Sequence, residues 1–534
     1  MQGDFSRVHY EASKHFAAVL AQQGRVSLDS DQNENTLILL HYLRTVVADL
    51  VGPCARPAGS NAGFAVTTTT TAAGDPDLAL SRGRMYVGGL LVENDLPELT
   101  YWTQPQAYLD PDLAADALAQ APYLVYLRVW ERLVTALQDD QVREVALGDL
   151  APDTSARRQV VWQVATASAD VPADGSAATA DGLGWLAQNL GRQPLDVPLL
   201  RAQAIRPAAS DDHPCDLSPD ARYRGPENQL YRVEIHRGGV AYDPGAPAGQ
   251  LDQAGGQGNV GAGAGVGVGV ATFSFSRENA SVVFAIDSVA GASVTLADLG
   301  RDRKLALDVG DWVELLDDRY SLRLPVDPPL PLHRVVAIDY PGRTVTLDQE
   351  PVSLDASALP GTEPQLHPFL RRWDHPRTTT TDSVGEITVS DDGALPVVEG
   401  HWIDLEDGVQ VMFVAGTQKD QRLYRRGDYW WIPARTIPGD VLWPRDELGP
   451  VSRPPDGVSY HYAPLAWVAA DGTVTPAGDE IPTPNPDLTP AEFSNAAFRD
   501  AAIGATAAPR PAAPAKAGPA QGRARRSPAR KQPR

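Results

Sequence analysis

Two glutamates pose the first chemical question. Glu227 and Glu278 each precede an asparagine and lie beside strand-like alternation, with Arg224 and Arg277 close in sequence. Glycoside hydrolysis needs two carboxylates flanking the scissile bond, one as acid and the other as nucleophile or base. If the neighbouring strands pair, both carboxylates face one cleft. The alternative is a network of Arg and Glu at strand ends that fixes a sheet by hydrogen bonds. Aromatics pose the second question: six of the eleven tryptophans lie between Trp373 and Trp467, and Trp430 and Trp431 are adjacent. Neighbours on a strand point to opposite faces, so both are buried only where the sheet is covered on both sides. An uncovered one is a stacking platform for a sugar or a protein partner.

Other catalytic signatures are missing from the sequence. It contains no P-loop lysine motif, no H-E-x-x-H pair, no G-x-S-x-G elbow and no EF-hand spacing. The glycines of residues 254–270 are followed by a strand pattern and no Lys-Ser/Thr, whereas a phosphate cradle needs a helix N-terminus there. His213 near Cys215, and His367 eight residues before His375, do not have zinc-site spacing. The expectation is no metal and no cofactor. Cys54 and Cys215 are the only cysteines, which describes no disulfide framework.

The positioning elements change character along the chain. Residues 1–28 read as an extended arm, and a helix follows, with Leu39, Leu40, Leu43, Val46, Val47, Leu50 and Val51 at three- and four-residue intervals. Asp29 or Ser30 is the expected cap, and Gly52-Pro53 ends the run. Such an amphipathic helix is not stable alone, so its apolar stripe must dock on this chain or another. From Tyr123 onward the period is two, in YLVYLRVWERLVT, QVVWQV, QLYRVEIH, ATFSFS, SVVFAI, WVELL, RVVAID, TVTLD, VQVMF and YWWIP. Turn chemistry at Arg237-Gly238-Gly239, Asp317-Asp318, Pro341-Gly342 and Asp407-Gly408 separates several of them. The expected fold is mainly β: an N-terminal arm and amphipathic helix, then two or more antiparallel β-sandwich or barrel-like domains, then a disordered C-terminal tail. The boundaries read as 1–120 for the arm, helix and attachment module, and 121–300 for a first β-domain with a Gly-rich insertion at 245–270. A Trp-rich second β-region covers 301–481, and a Pro/Ala-rich basic tail covers 482–534. A further linker is expected at 166–182.

Length and charge bound the rest. The chain has 534 residues and a net charge of −22, yet Ala505 to Arg534 holds eight basic residues and no acidic one, which leaves −30 on the preceding 504. So anionic a body argues against nucleic acid or acidic lipid as its partner, because phosphate binding needs Lys and Arg to replace counterions. Asp4, Arg7, Glu11 and Lys14 interrupt any signal-peptide core, and no apolar run suits membrane insertion. Synthesis and assembly in the cytoplasm are expected. The basic tail is read either as a tether to acidic surfaces or as a solvated end.

Six blocks together carry a resemblance: GDFSR at 3–7, QQGRVSLDSDQNE at 22–34, YLVYLRVWERLVTAL at 123–137, YRGPENQLYRVEIH at 223–236, FSFSRENASVV at 273–283 and GDYWWIPAR at 427–435. In this order they resemble an uncharacterised bacterial family encoded near contractile injection systems and phage-tail-like particles. Two positions depart from that pattern, Gln32 and Phe275, where tryptophan is usual. The resemblance implies a non-enzymatic structural or adaptor subunit of such a particle, baseplate-proximal or peripheral and oligomeric within the assembly, with baseplate, tube or sheath proteins as partners. It implies attachment through Asp4, Phe5, Ser6, Arg7, Gln22, Gln23, Gly24, Arg25, Asp29, Asn33 and Glu34. The competing expectation is a tail-spike-like protein that binds or cleaves cell-envelope glycan through Trp430 and Trp431 or Glu227 and Glu278. For the arm, the internal alternative is that Gly3 to Glu34 folds back on the β-domains.

Overall fold

The computed structural model describes residues 2–480 except 9, 112, 114–115, 149–152, 169–177, 191–196, 206–221, 245–268, 324–328, 354–358, 383, 417–421 and 478. The Gly-rich insertion, most of the expected linker, Cys215, His213 and the C-terminal tail therefore lie wholly or mainly outside the described residues. Contacts divide the chain at Pro482, and the compact unit Met1–Ile481 contains everything that follows.

That unit is mainly β and antiparallel. All ten segments of two-residue period lie in strands, from Tyr123–Val134 to Tyr429–Arg435. Their alternation sorts side chains between a core and an outer face. In Gln229–Arg237, Tyr231, Val233 and Ile235 enter one apolar core, joined by Trp430 and Ile432 of Tyr429–Arg435. The opposite face carries Arg232, Glu234 and His236.

The strands form three modules nested one inside another. The outermost has a four-stranded sheet in which Arg157–Ser168 pairs with Tyr123–Val134, which pairs with His461–Val468, flanked by Val474–Pro476. It shares a core with a second four-stranded sheet and a three-stranded one, built from residues 54–100 with Asp479–Glu480 added at one edge. Inside it lies a sandwich of two five-stranded sheets. One runs in the order Leu395–Pro396, Thr272–Ser276, Gln229–Arg237, Tyr429–Arg435, Asp440–Val441, and the other includes Leu200–Ala204 and Val409–Phe413. Innermost in sequence is a closed six-stranded barrel, from Val283–Ala290 to Phe369–Trp373, filled by Phe284, Val294, Val313, Leu315, Val345 and Leu370.

Strand pairing crosses the boundaries expected at 120 and 300. Cys54–Arg56 pairs with Asp479–Glu480, and Gln229–Arg237 pairs with Tyr429–Arg435, so a sequential division misplaces partners. The Asp317-Asp318 turn is instead a helix start: Asp317 caps the short helix Asp318–Leu322 by accepting from the Tyr320 N–H at 2.8 Å.

The N-terminal helix spans Asp29–Val51, and Gly52, at φ +87°, ends it with an N–H bond to the Ala48 carbonyl at 2.8 Å. Its N-terminus corrects the expected cap: Leu28 occupies the cap position, and the Asp29 carboxylate turns to the arm. The helix meets the body at the Gly88-Gly89 turn. A Cβ on Gly89 would fall 2.5 Å from the Arg44 carbonyl oxygen, and both glycines have positive φ.

Candidate functional site

The polar face of Gln229–Arg237 does not face water, because the first residues of the chain lie over it. Phe5 and Val8 pack on Leu230, Tyr429 and Trp431. The anchor is Asn279, fully buried at φ +52°, whose Nδ2 donates to the Gly3 carbonyl at 2.9 Å. Its Oδ1 accepts from Trp431 Nε1 at 2.8 Å and from Arg232 Nη1 at 3.3 Å. Arg435 donates to the Ser6 carbonyl at 2.7 Å, and Gln2 Nε2 donates to Glu234 at 3.3 Å. Ser6 in turn donates from its N–H and its hydroxyl to Asp29, at 3.0 and 2.5 Å, which closes residues 7–28 into a loop. These hydrogen bonds hold the Asp29 carboxyl below the usual range against the opposing effect of burial, the largest single influence on it.

This seat settles the two tryptophans. Trp430 is buried in the sandwich core and donates to the Arg453 carbonyl at 3.0 Å, while Trp431 is buried under the arm. Neither is an exposed platform, which corrects that expectation. Both faces of the sheet are covered, one by the opposing sheet and the other by residues 2–8.

Beyond the tip the segment behaves differently. Tyr10 lies against His41, with ring centroids 5.5 Å apart, and the Val19 N–H donates to Asn35 at 3.1 Å, so the loop follows the helix. Gln22, Gln23, Gly24 and Arg25 form an exposed turn, and Asn33 and Glu34 are half-buried on the helix. The helix buries only Ser30 and Ile38. Leu39, Tyr42, Leu43 and Leu50 remain 57, 71, 57 and 80% exposed, joined by Phe16 and Leu20 of the loop. The attachment residues read from sequence thus divide: Phe5 and the Ser6 backbone belong to the internal seat, and Gln22 to Arg25 lie on the open side.

Glu227 and Glu278 do converge, but on a lysine. Lys304 Nζ lies 2.9 Å from Glu227 and 3.3 Å from Glu278, and Arg372 holds the other Glu278 oxygen at 3.4 Å. Arg277 and Arg372 both reach Asp374, and Arg277 pairs with Glu406 at 2.7 Å. Residues 277–280 lead into the barrel and Asp374 follows its last strand, so this network fastens the barrel's two connections to the sandwich. Burial, with Asp374 beside it, raises the Glu278 carboxyl, and burial raises that of Glu406 to about 7. A raised carboxyl suits a general acid, but each of these is held by cations.

A cavity of about 970 Å³ lies beside the seat, walled by the tip, the polar face of the sandwich sheet, the outer face of the barrel and the Tyr123–Val134 strand. Its buried polar residues include Ser274, His236, Glu314 and Arg371. Sequence reading missed Asn279, His236 and Arg371. The available signal was the charged alternation of YRVEIH, which marks a strand whose second face also needs a cover. Among the described residues, no group of three or more His, Cys, Asp or Glu could hold a metal, and no helix is long and apolar enough to cross a membrane.

These features define a mainly antiparallel β protein of nested modules, sealed by its own N-terminus and carrying an open helix. Residues 1–183 and 186–478 match the Family of unknown function (DUF6519), and the chain belongs to that family. Comparison with curated proteins and with solved structures gives no match.

Proposed function

We propose that this protein is a non-enzymatic structural or adaptor subunit of a phage-tail-like contractile particle, assembled in the cytoplasm and docked through its N-terminal helix and loop. The observation that supports the reading is the apolar stripe Leu39, Leu43 and Leu50, with Tyr42, left in water on a helix of 23 residues. A helix of that length is about 34 Å long, and such a stripe is a helix-in-groove anchor pattern. Asp31, Glu34 and Asp49 lie on the same helix, so the matching groove is apolar with a basic rim. The six sequence blocks supply the particle context, with baseplate, tube or sheath proteins as partners. Neither carboxylate pair nor tryptophan pair offers comparable support for a glycan role.

The test is co-sedimentation of the tagged protein with sheath and tube components from a lysate containing intact particles. Wild type is expected in the particle fraction. Recovery only in the soluble fraction would overturn the reading.

A further inference from the structure

The seat under the N-terminal tip reads a short segment, whichever copy of the chain supplies it. We propose that the tip is exchangeable, with residues 2–8 of one copy filling the seat of a second copy and linking the two. The tip holds its own turn, since the Phe5 N–H donates to the Gly3 carbonyl at 3.0 Å. Its anchoring contacts then cross to Asp29 and later residues: Gln2 to Glu234, Gly3 to Asn279, Ser6 to Asp29 and Arg435, and Phe5 with Val8 to Leu230, Tyr429 and Trp431. A tip from a second copy makes the same set, with Asp29 of the acceptor receiving Ser6 of the donor. Asn279 and Arg435 take main-chain carbonyls, but Gly3 adds selectivity, because a Cβ there would fall 2.6 Å from Leu133 Cδ2. The seat therefore fits a Gly-x-Phe-Ser segment, which every copy of this chain carries.

The connection to the helix permits the exchange. Residues 11–18 and 20–28 are exposed, and the segment is held to the helix by the Tyr10–His41 ring contact and by hydrogen bonds at Val19 and Ser27. Little holds it back. Residues 9–28 reach about 66 Å when fully extended, enough to carry the tip to a neighbour whose seat lies within that distance. A long exposed hinge between two well-defined parts is the arrangement that swaps identical elements between protomers at low cost. Because the same contacts form either way, concentration sets the balance: a linker of this kind holds the tip at its own seat at an effective concentration on the order of 1 mM. Dilute chains close on themselves, and copies crowded in an assembly exchange. Exchange does not depend on what else the assembly contains, because both partners are this chain.

The experiment mixes two full-length variants in a Cys215→Ser background, a donor with Ser6→Cys and a larger-tagged acceptor with Asp29→Cys. Ser6 and Asp29 are exposed and hydrogen-bonded to each other, so a disulfide between the two chains forms at the seat when a tip is exchanged. After equilibration under reducing conditions, brief oxidation and a non-reducing gel read the mixed dimer. A Thr70→Cys chain, substituted at an exposed position of Val66–Thr70, replaces the donor to measure chance collision. The expected result is a mixed dimer above that control, with a yield rising about fivefold between about 0.1 and 1 mM total chain. Gly3→Leu in the donor should return the yield to the control level, since the added side chain meets Leu133. If that donor does not fold, Phe5→Ala, which withdraws the ring from Leu230, Tyr429 and Trp431, must lower the yield instead. A yield equal to the control at the highest concentration, or one unchanged by the folded tip variant, would overturn exchange. The purified chain alone is used, so that failure is distinct from failure to co-sediment with sheath and tube.

Discussion

The first fifty residues contain two regions with opposite fates. Residues 2–8 carry only Phe5 and Val8 as sizeable apolar groups, yet they are drawn onto the sandwich sheet. Asp29–Val51 carries many more, yet Leu39, Tyr42, Leu43 and Leu50 are left in water. Apolar content therefore does not decide which part is covered. Side chains that reach for backbone do: Asn279 takes the Gly3 carbonyl and Arg435 the Ser6 carbonyl, whereas the helix satisfies its own backbone and leans on the body at Arg44. A segment fixed by its backbone belongs to the fold. A segment that presents only side chains is available to a partner.

The largest way to break this contrast is to delete residues 2–8. Removing Phe5 and Val8 and uncovering Leu230, Tyr429 and Trp431 should cost about 3–5 kcal/mol, the scale of losing a large buried aromatic. Denaturant unfolding measures it, and a change below about 1 kcal/mol would make the tip as dispensable as the helix face.

Acidification comes next. Burial lowers His236 and His375 to about 4, so both are neutral when folded. Their folded values lie below the unfolded value of about 6.5, so their contribution is complete above that pH and is lost as pH falls toward 4. Each accounts for about 3 kcal/mol at most. Glu406, raised to about 7, gains stability over the same window and offsets part of this loss, so the histidine share is read as the difference between wild type and His236→Gln in urea melts at pH 7 and pH 4, and the variant should lose about 3 kcal/mol less than wild type between them. Deleting the tip should remove the His236 share but not the His375 share, because only His236 lines the cavity that the tip walls.

Asn279→Ala should cost about 2 kcal/mol, since it leaves the Trp431 N–H and the Gly3 carbonyl without their partner and places a Cβ-bearing residue with no local hydrogen bond at positive φ. Intrinsic tryptophan fluorescence should report Trp431 moving to a wetter environment. A cost below about 0.5 kcal/mol would remove Asn279 as the anchor.

Much of the fold is legible in the sequence because alternation states its own answer. Trp430 beside Trp431 narrows the sheet to two cases, covered on both faces or carrying an open aromatic platform, and the helix limits follow from periodicity and Gly52. The nested order was not legible, because which strands pair depends on closures such as Gln229–Arg237 with Tyr429–Arg435, and two-residue period says nothing about partners. The short strands from Cys54–Arg56 to Leu90–Asn94 were missed for a related reason. They have three to five residues each, and runs such as VTTTT are too short and polar to show a face. At the seat, Asn279 looked like one half of a repeated Glu-Asn pair. Its role depends on a backbone turn and on three partners distant in sequence.

The smallest expected effect on stability is also the most direct test of function. Leu39→Glu with Leu43→Glu changes side chains that lie largely in water, so unfolding should move by less than about 0.5 kcal/mol. The decisive measurement is the fraction of this double variant that co-sediments with sheath and tube, beside wild type in the same lysate. Wild type is expected in the particle and the equally stable variant in the soluble fraction. Undiminished incorporation of the variant would contradict it.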